Sequence, residues 1–224
     1  MSPASAAIDH RVRVGQERSA RTERRILEAA LRVFAERGPD APVIDEFVEA
    51  AGIARGTFYN YFRHTGELLE ATSEWTTREA LQLIGEAIAG LEEPTLRLGV
   101  GLRLFFDHAR RDPVWSRFIA RVWNIGGLDL PIRDLEAGVR SGHFRVPGPE
   151  VARDLLFGGI RQALARIGEG HAPPRFGEQM TEMCLQALRA NPRRIAAVLE
   201  QDLSRLPAQT AMRGAPRSAG QDGG

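Results

Sequence analysis

The sequence contains no lysine, and all 30 of its basic side chains are arginines. They are balanced by 29 acidic residues, which leaves a net charge of +1. Bulk charge therefore does not indicate a nucleic-acid-binding protein. Arginine does suit bidentate contacts with phosphates, but its exclusive use is typical of a biased composition and is given no functional weight.

Cysteine and long apolar runs are scarce as well. A single cysteine, Cys184, excludes an intramolecular disulfide and fits a reducing compartment. No apolar run reaches the roughly eighteen residues of a membrane-spanning helix. Residues 1–15 lack the apolar core of a secretory signal, so a cytoplasmic protein without a membrane partner is expected. The 224 residues, 43% of them hydrophobic, suffice for a folded core.

The apolar residues recur at helical spacing, and no segment shows sustained strand alternation. The sequence therefore predicts an all-α fold in four parts. A flexible arm is expected over residues 1–18 and three short helices over 19–64. A larger helical domain is expected over 65–205, followed by a disordered tail over 206–224, which is rich in Gly, Ala, Ser and Gln.

Glycine and proline residues mark the ends of the N-terminal helices. Gly38 and Pro39 are predicted to end the first helix, and Pro42 to begin the second. A short turn at residues 51–53 leads into a third helix over about 54–61. Phe58 is expected on its inner face, with Gly56 and Tyr59 on the outer face.

Such a third helix has the character of a DNA-recognition helix. An inner apolar face anchors it, while small and hydrogen-bonding residues outside allow it to enter the major groove. Gly56 allows close approach, Tyr59 offers a hydroxyl for phosphates or base edges, and Arg55 can reach a guanine or a phosphate. The alternative, that the aromatic residues only fill a core, is preferred for Phe58 and Phe62.

The residues from Arg24 to Leu69 resemble the DNA-binding domain of the tetracycline-repressor (TetR) family. The resemblance runs in order through Ile26-Leu27-Glu28-Ala29-Ala30, Phe34, Gly38, Ala51-Gly52-Ile53, Gly56-Thr57-Phe58-Tyr59-Asn60-Tyr61-Phe62 and Leu68-Leu69. It implies a ligand-responsive regulator, a repressor or alternatively an activator, that binds palindromic double-stranded operator DNA as a homodimer. The residues expected to contact DNA are Arg55, Gly56, Thr57, Tyr59, Asn60, Tyr61, Arg63 and Thr65.

Two positions depart from the pattern of this family. Ala41-Pro42 stands where the family usually has Ser or Thr at the start of the second helix. Thr65 stands where a Lys usually reaches phosphate, with Arg63 and His64 beside it as substitutes. Losing one phosphate charge would lower the salt dependence of DNA binding by about one unit.

The resemblance also implies a second domain that binds a small effector and forms the dimer. Aromatic residues with interspersed polar groups can enclose a hydrophobic or anionic molecule, or can simply form a core with the polar groups in solvent. The candidate effector residues are Trp75, Arg103, Phe105, His108, Trp115, Phe118, Arg121, Trp123, Phe157 and Arg161. The apolar stripes of the last long helices predict a dimer interface, unless both stripes are core. Its candidate residues are Leu156, Ile160, Leu164, Ile167, Phe176, Met180, Met183 and Leu188.

Two other classes of function were weighed against a ligand-gated regulator. The five histidines are scattered without metal-ligand spacing, and no nucleophile stands beside a base, so neither an enzyme nor a cofactor or metal site is expected. A DNA-binding regulator that acts through partner proteins, without a ligand, stays open. Gly99 and Gly101 fit either a pocket wall or close helix packing.

Overall fold

The computed structural model describes residues 3–122 and 132–206, all of whose regular elements are helices. The helices are α1 (Pro3–Arg37), α2 (Ile44–Ala51), α3 (Arg55–Tyr59), α4 (Thr65–Ile88), α5 (Pro94–Arg111), α6 (Pro113–Val122), α7 (Ile132–Arg140), α8 (Pro149–Gly168), α9 (Phe176–Ala187) and α10 (Pro192–Glu200), followed by a 3₁₀ turn (Leu203–Arg205). The all-α prediction is confirmed. The predicted tail at 206–224 lies, apart from Leu206, outside the described residues.

Two compact units divide the chain, the first extending to Trp75 and the second beginning at Thr76. The change of unit therefore falls within α4, whereas the sequence placed it at the start of that helix. No helix in the described ranges combines the length and apolarity that crossing a membrane requires.

In the first unit, α1 packs against α2, and α2 against α3. Buried aromatic rings hold these helices, with the centroids of Phe34 and Phe47 4.8 Å apart. Gly52 ends α2 with φ of 59°, a left-handed conformation that glycine adopts without strain. The Ile53 N–H donates to the Val48 carbonyl at 3.1 Å. This tight turn sets α3 at a fixed angle to α2, as in a helix-turn-helix.

Two local predictions for this unit were wrong. Residues 3–18, expected as a flexible arm, lie within α1. Pro42 precedes α2, which begins at Ile44 with Val43 as its N-cap.

In the second unit, α5 is the central helix and packs against α6, α7, α8, α9 and α10. Leu98, Leu104 and Phe106 are fully buried along it. Gly99 is a close-packing position, because a Cβ atom there would lie 2.6 Å from Val198 Cγ1 of α10. Gly101 is less confined, with its nearest neighbours 3.8 Å away on Ile84 and Ile88. At Gly99, helix packing is therefore the correct interpretation.

Candidate nucleic-acid interface and effector site

The inner face of α3 is anchored by Phe58. Its side chain is fully buried, and its ring centroid lies 6.0 Å from that of the buried Phe62. A helix of only five residues has little stability of its own. This aromatic contact therefore holds α3 in place and presents its other face to solvent.

The outer face of α3 is open and polar. The Tyr59 side chain is 49% exposed, and Gly56 and Asn60 are exposed as well. A Cβ atom built on Gly56 would have no neighbour within 4 Å. Packing inside the chain therefore does not require glycine at position 56, and a partner can approach the backbone closely there.

Arg55, the first residue of α3, is exposed but tethered. Its Nη1 donates to the Asp45 carboxylate at 2.7 Å. A hydrogen bond to Tyr59 and then the charge of Asp45 raise the pKa of the Arg55 guanidinium above its usual value. The side chain therefore stays charged at the edge of the outer face of α3, which is called the reading face below.

Tyr61 and Thr57, which were predicted to contact DNA, are only half-exposed. The hydroxyl oxygens of Tyr61 and Ser19 lie 3.2 Å apart, which connects α1 to the segment after α3. Tyr61 therefore helps to hold this segment against α1.

The start of α4 is capped in a way that sequence reasoning missed. His64 Nδ1 accepts the Glu67 N–H at 3.1 Å, and Glu67 Oε2 accepts the Arg63 N–H at 2.7 Å. The two bonds resemble a capping box, except that Glu67 accepts from the residue before the cap and not from the cap itself. The His64-x-x-Glu67 spacing was the signal in the sequence. Since His64 serves as the cap and Thr65 is half-buried, Arg63 is the exposed cation at this position.

The departure at the start of α2 has a compensating contact. Val43 provides no side-chain cap, but Glu46 Oε1 accepts the Val43 N–H at 3.4 Å. The other oxygen of Glu46 lies 3.4 Å from Arg37 of α1. The start of α2 is thus held by Glu46, without the usual hydroxyl.

Several predicted effector residues are core residues of the second unit. Phe105 and Phe118 are at most 2% exposed, and Trp115 is 3% exposed. The ring centroids of Phe105 and Trp115 lie 5.2 Å apart in an edge-to-face arrangement. Phe157 is half-buried.

The predicted effector arginines are engaged elsewhere. Arg103 Nη1 donates to the carbonyls of Val198 and Gln201, each at 2.7 Å, and so caps the end of α10. Arg161 Nε donates to the Ala120 carbonyl at 3.1 Å, and Arg121 is exposed. The prediction that these arginines face a ligand is corrected for Arg161 and Arg121, which bond to the chain or face solvent. The Nη1 of Arg103 is likewise engaged, whereas its Nε is buried without a hydrogen-bond partner.

Two further effector candidates do not lie with the others in the described part of the second unit. Trp75 belongs to the first unit, where the Arg24 guanidinium carbon lies 5.5 Å from its ring centroid. Trp123 lies outside the described residues.

His108 and Trp115 remain as polar side chains inside the second unit. Their ring centroids are 4.6 Å apart, and burial lowers the pKa of His108, so that its neutral form is favoured. The Nε1 of Trp115 and the Oγ1 of Thr77 are buried without a hydrogen-bond partner. Unsatisfied donors of this kind are costly in a core and fit an acceptor brought by a ligand.

The predicted dimer residues are mostly core. Leu156, Ile160, Leu164 and Ile167 of α8 are at most 5% exposed, and Leu188 is fully buried. The main apolar stripe of α8 thus faces its own subunit, so these five residues do not form an open interface. Phe176 and Met180 are half-buried, and only Met183 is largely exposed, at 61%.

Within the described part of the chain, no group of three or more His, Cys, Asp or Glu side chains could hold a metal ion.

A helix-turn-helix followed by an all-helical second unit defines a class of DNA-binding regulatory proteins. Residues 26–72 match the family described as bacterial regulatory proteins, tetR family. The family match therefore applies to the helix-turn-helix domain, which resembles the DNA-binding domain of tetR-family regulators.

Relatives in sequence are described as HTH-type transcriptional regulators. Two strains of Mycobacterium tuberculosis have an uncharacterized HTH-type transcriptional regulator that is 36% identical over 127 residues. The match covers 56% of this chain and 63% of each relative, so the chain spans a little under two thirds of their length. Another such regulator, from Bacillus subtilis, is 38% identical over 69 residues, or 31% of this chain and 36% of its own.

Solved structures share the fold. RolR in complex with resorcinol superimposes with a TM-score of 0.62 at 24% identity, over 85% of this chain and 99% of RolR. FadR from Bacillus subtilis in complex with stearoyl-CoA superimposes with a TM-score of 0.62 at 18% identity, over 73% of this chain and 97% of FadR.

Proposed function

We propose that this chain is a ligand-responsive transcriptional repressor of the cytoplasm that binds a palindromic operator as a homodimer. The observation that carries the proposal is the outer face of α3. Gly56, Tyr59 and Asn60 are exposed there, on a helix anchored from behind by Phe58. A small residue flanked by hydrogen-bonding side chains suits entry into a major groove about 12 Å wide.

DNA contact is best tested on Gly56 and Tyr59. Duplexes would be selected from a random library with the purified full chain, and affinities would be measured by fluorescence anisotropy. Gly56→Ala adds one methyl group into open space, so the fold is unaffected while close approach to DNA is blocked. We expect Gly56→Ala and Tyr59→Ala each to weaken binding roughly tenfold or more.

The matched control is Arg133→Ala, an exposed position on α7 of the second unit. It should bind DNA as the unmodified chain does. Unchanged affinity in both α3 variants, at unchanged melting temperature, would place the DNA contact elsewhere.

The homodimer is proposed on the exposed apolar face of α8 and α9. Val151, Leu155 and Met183 are 60%, 57% and 61% exposed, respectively. Val151 and Leu155 are four residues apart, and α8 packs against α9. Gly158 lies one helical turn further along, and a Cβ atom built on it would have no neighbour within 4 Å. Val151, Leu155 and Gly158 thus form an exposed row on α8. Such a row allows the same helix of a second copy to approach closely, and a two-fold dimer reads two half-sites.

The effector site is proposed inside the second unit at Trp115, His108 and Thr77. The unpaired Nε1 of Trp115 and Oγ1 of Thr77 support it, as do the resorcinol and stearoyl-CoA complexes of proteins with this fold. To lower DNA affinity a hundredfold, the ligand must favour the released state by about 2.7 kcal/mol. A thermal-shift screen of phenols and hydrophobic acids, followed by DNA titration with each hit, tests this.

A regulator without an effector is the second candidate, and the filled core favours it. Phe105, Phe106 and Phe118 are at most 2% exposed, and Gly99 is closed by Val198. The second candidate is favoured if no stabilising compound changes DNA affinity and if Trp115→Phe has the same thermal shifts as the unmodified chain. The chain would then act through partner proteins and not through a ligand.

A further inference from the structure

The surface of the second unit carries a cleft of about 380 Å³. Three arginines line it, Arg145, Arg189 and Arg194, together with the polar side chains of Ser141, His143 and Asn191. These residues come from the loop after α7, from the turn that joins α9 to α10 and, for Arg194, from the first turn of α10. No residue proposed above to contact DNA, an effector or a second subunit lines this arginine cleft.

Main-chain contacts fix the two walls of the arginine cleft. The Arg145 N–H donates to the Leu188 carbonyl at 3.0 Å, which joins the loop to the end of α9. Next to Arg145, Phe144 is 2% exposed, and its N–H donates to the Gly138 carbonyl at 3.0 Å. A site whose walls are already ordered loses less entropy when a ligand binds.

The acid nearest to these residues is already engaged. Arg194 Nη1 lies 2.5 Å and His143 Nε2 3.3 Å from Glu93 Oε1. Burial would raise the pKa of Glu93, but hydrogen bonds from the N–H groups of Thr95 and Leu96 outweigh burial and lower it. Glu93 is therefore a fixed anion that balances Arg194.

Among the described residues, Arg145 and Arg189 have no such counter-charge. Within residues 3–122 and 132–206, no carboxylate oxygen lies within 4 Å of either guanidinium. Both side chains are exposed. The arginine cleft therefore carries excess positive charge, and the N-terminus of α10 beside Asn191 adds a further partial positive charge.

Arg189 occupies a backbone position that favours glycine. Its φ is 53°, and it follows the end of α9, where its N–H donates to the Gln186 carbonyl at 2.8 Å. Helices commonly end on a glycine in this left-handed conformation. The fold therefore does not require the Arg189 side chain and would be more stable without it.

We propose that the arginine cleft binds a small polyanion that carries at least two phosphate or carboxylate groups. Guanidinium groups bind both kinds of oxyanion through paired N–H donors, and a ligand with two such groups can engage Arg145 and Arg189 at once. The cleft volume is within the range of small-molecule sites. The proposal is independent of DNA binding and of the interior effector site.

The proposal can be tested by isothermal titration calorimetry. The full chain is titrated with pyrophosphate and, in a separate experiment, with citrate. Ionic strength is held constant, because salt screens exposed charges. We expect saturable binding of at least one anion. Binding of pyrophosphate alone would identify a phosphate ligand, binding of citrate alone a carboxylate ligand, and both results support the site.

Arg189→Gly distinguishes a loss of anion binding from a loss of stability. It should weaken anion binding roughly tenfold or more, whereas it should raise the melting temperature. Arg145→Gln should weaken binding similarly, and the control Arg133→Gln should not. The proposal is overturned if neither anion saturates, or if both cleft variants bind as tightly as the control.

Discussion

The Nη1 atom of Arg55 lies 2.7 Å from Oδ1 and 3.0 Å from Oδ2 of Asp45, so α2 and α3 share an exposed ion pair at the edge of the reading face. Asp45 therefore neutralises a cation that DNA phosphates would otherwise attract. We expect Asp45→Asn to strengthen DNA binding, since it releases Arg55 and removes a repelling charge. Arg55→Ala should weaken binding and lower the slope of log K against log salt by about 0.9.

Anisotropy titrations at several salt concentrations measure both effects. Asp154→Asn removes a similarly exposed carboxylate from α8 and serves as the control. Equal affinities and salt slopes for Asp45→Asn and Asp154→Asn would show that Asp45 does not restrain Arg55, and an unchanged salt slope in Arg55→Ala would show that Arg55 takes no part in DNA binding.

The glycines of α5 give a matched pair for stability. In Gly99→Ala, the new methyl group would meet Val198 Cγ1 at 2.6 Å and Cγ2 at 2.8 Å. Overpacking of this kind costs about 1–3 kcal/mol of unfolding free energy. In Gly101→Ala the nearest atoms are 3.8 Å away, so higher helix propensity should leave stability unchanged or raise it by up to about 1 kcal/mol. Urea unfolding of both variants provides the comparison, and equal losses would contradict the close packing of α5 and α10.

The exposed row on α8 predicts the oligomeric state. Leu155→Arg places a charge in the centre of the proposed interface and should convert the dimer to a monomer in light scattering at micromolar concentration. The side chain of Leu155 is 57% exposed in one subunit, so the fold should tolerate this change. Glu136→Arg, an exposed change on α7, should leave the dimer intact. A monomer in the unmodified chain, with or without DNA, would contradict the proposed dimer.

The thiol of Cys184 should be inert in the folded protein. Burial raises its pKa from 9.0 to about 11, so the unreactive thiol form predominates at neutral pH. Because the pKa is raised by folding, the associated stability is present below pH 9 and is lost as the pH rises toward 11. A thiol reagent at pH 8 should react only as fast as the chain unfolds. Rapid labelling without denaturant would show that Cys184 is accessible.

Much of the first unit was predictable because its signals are local. Gly52 marks the turn, Phe58 has the spacing of an anchored inner face, and Gly56 with Tyr59 marks the outer face. Each of these depends on residues within one or two helical turns. The capping of α4 by His64 and Glu67 was equally local and was missed. The Arg55–Asp45 pair joins two helices and has no comparable signal.

In the second unit, the sequence by itself determined the helices, since their periodicity and their Pro and Gly punctuation are local properties of the chain. It also showed that α8 is amphipathic, but an apolar stripe has the same pattern whether it meets its own core or another subunit. Only the tertiary structure placed Leu156 inside and Leu155 outside. Likewise, only packing between distant segments bound Arg103 to the end of α10 and brought Arg145 to the same cleft as Arg189. Such choices depend on which surfaces meet in three dimensions, and the spacing of residues along a helix does not encode them.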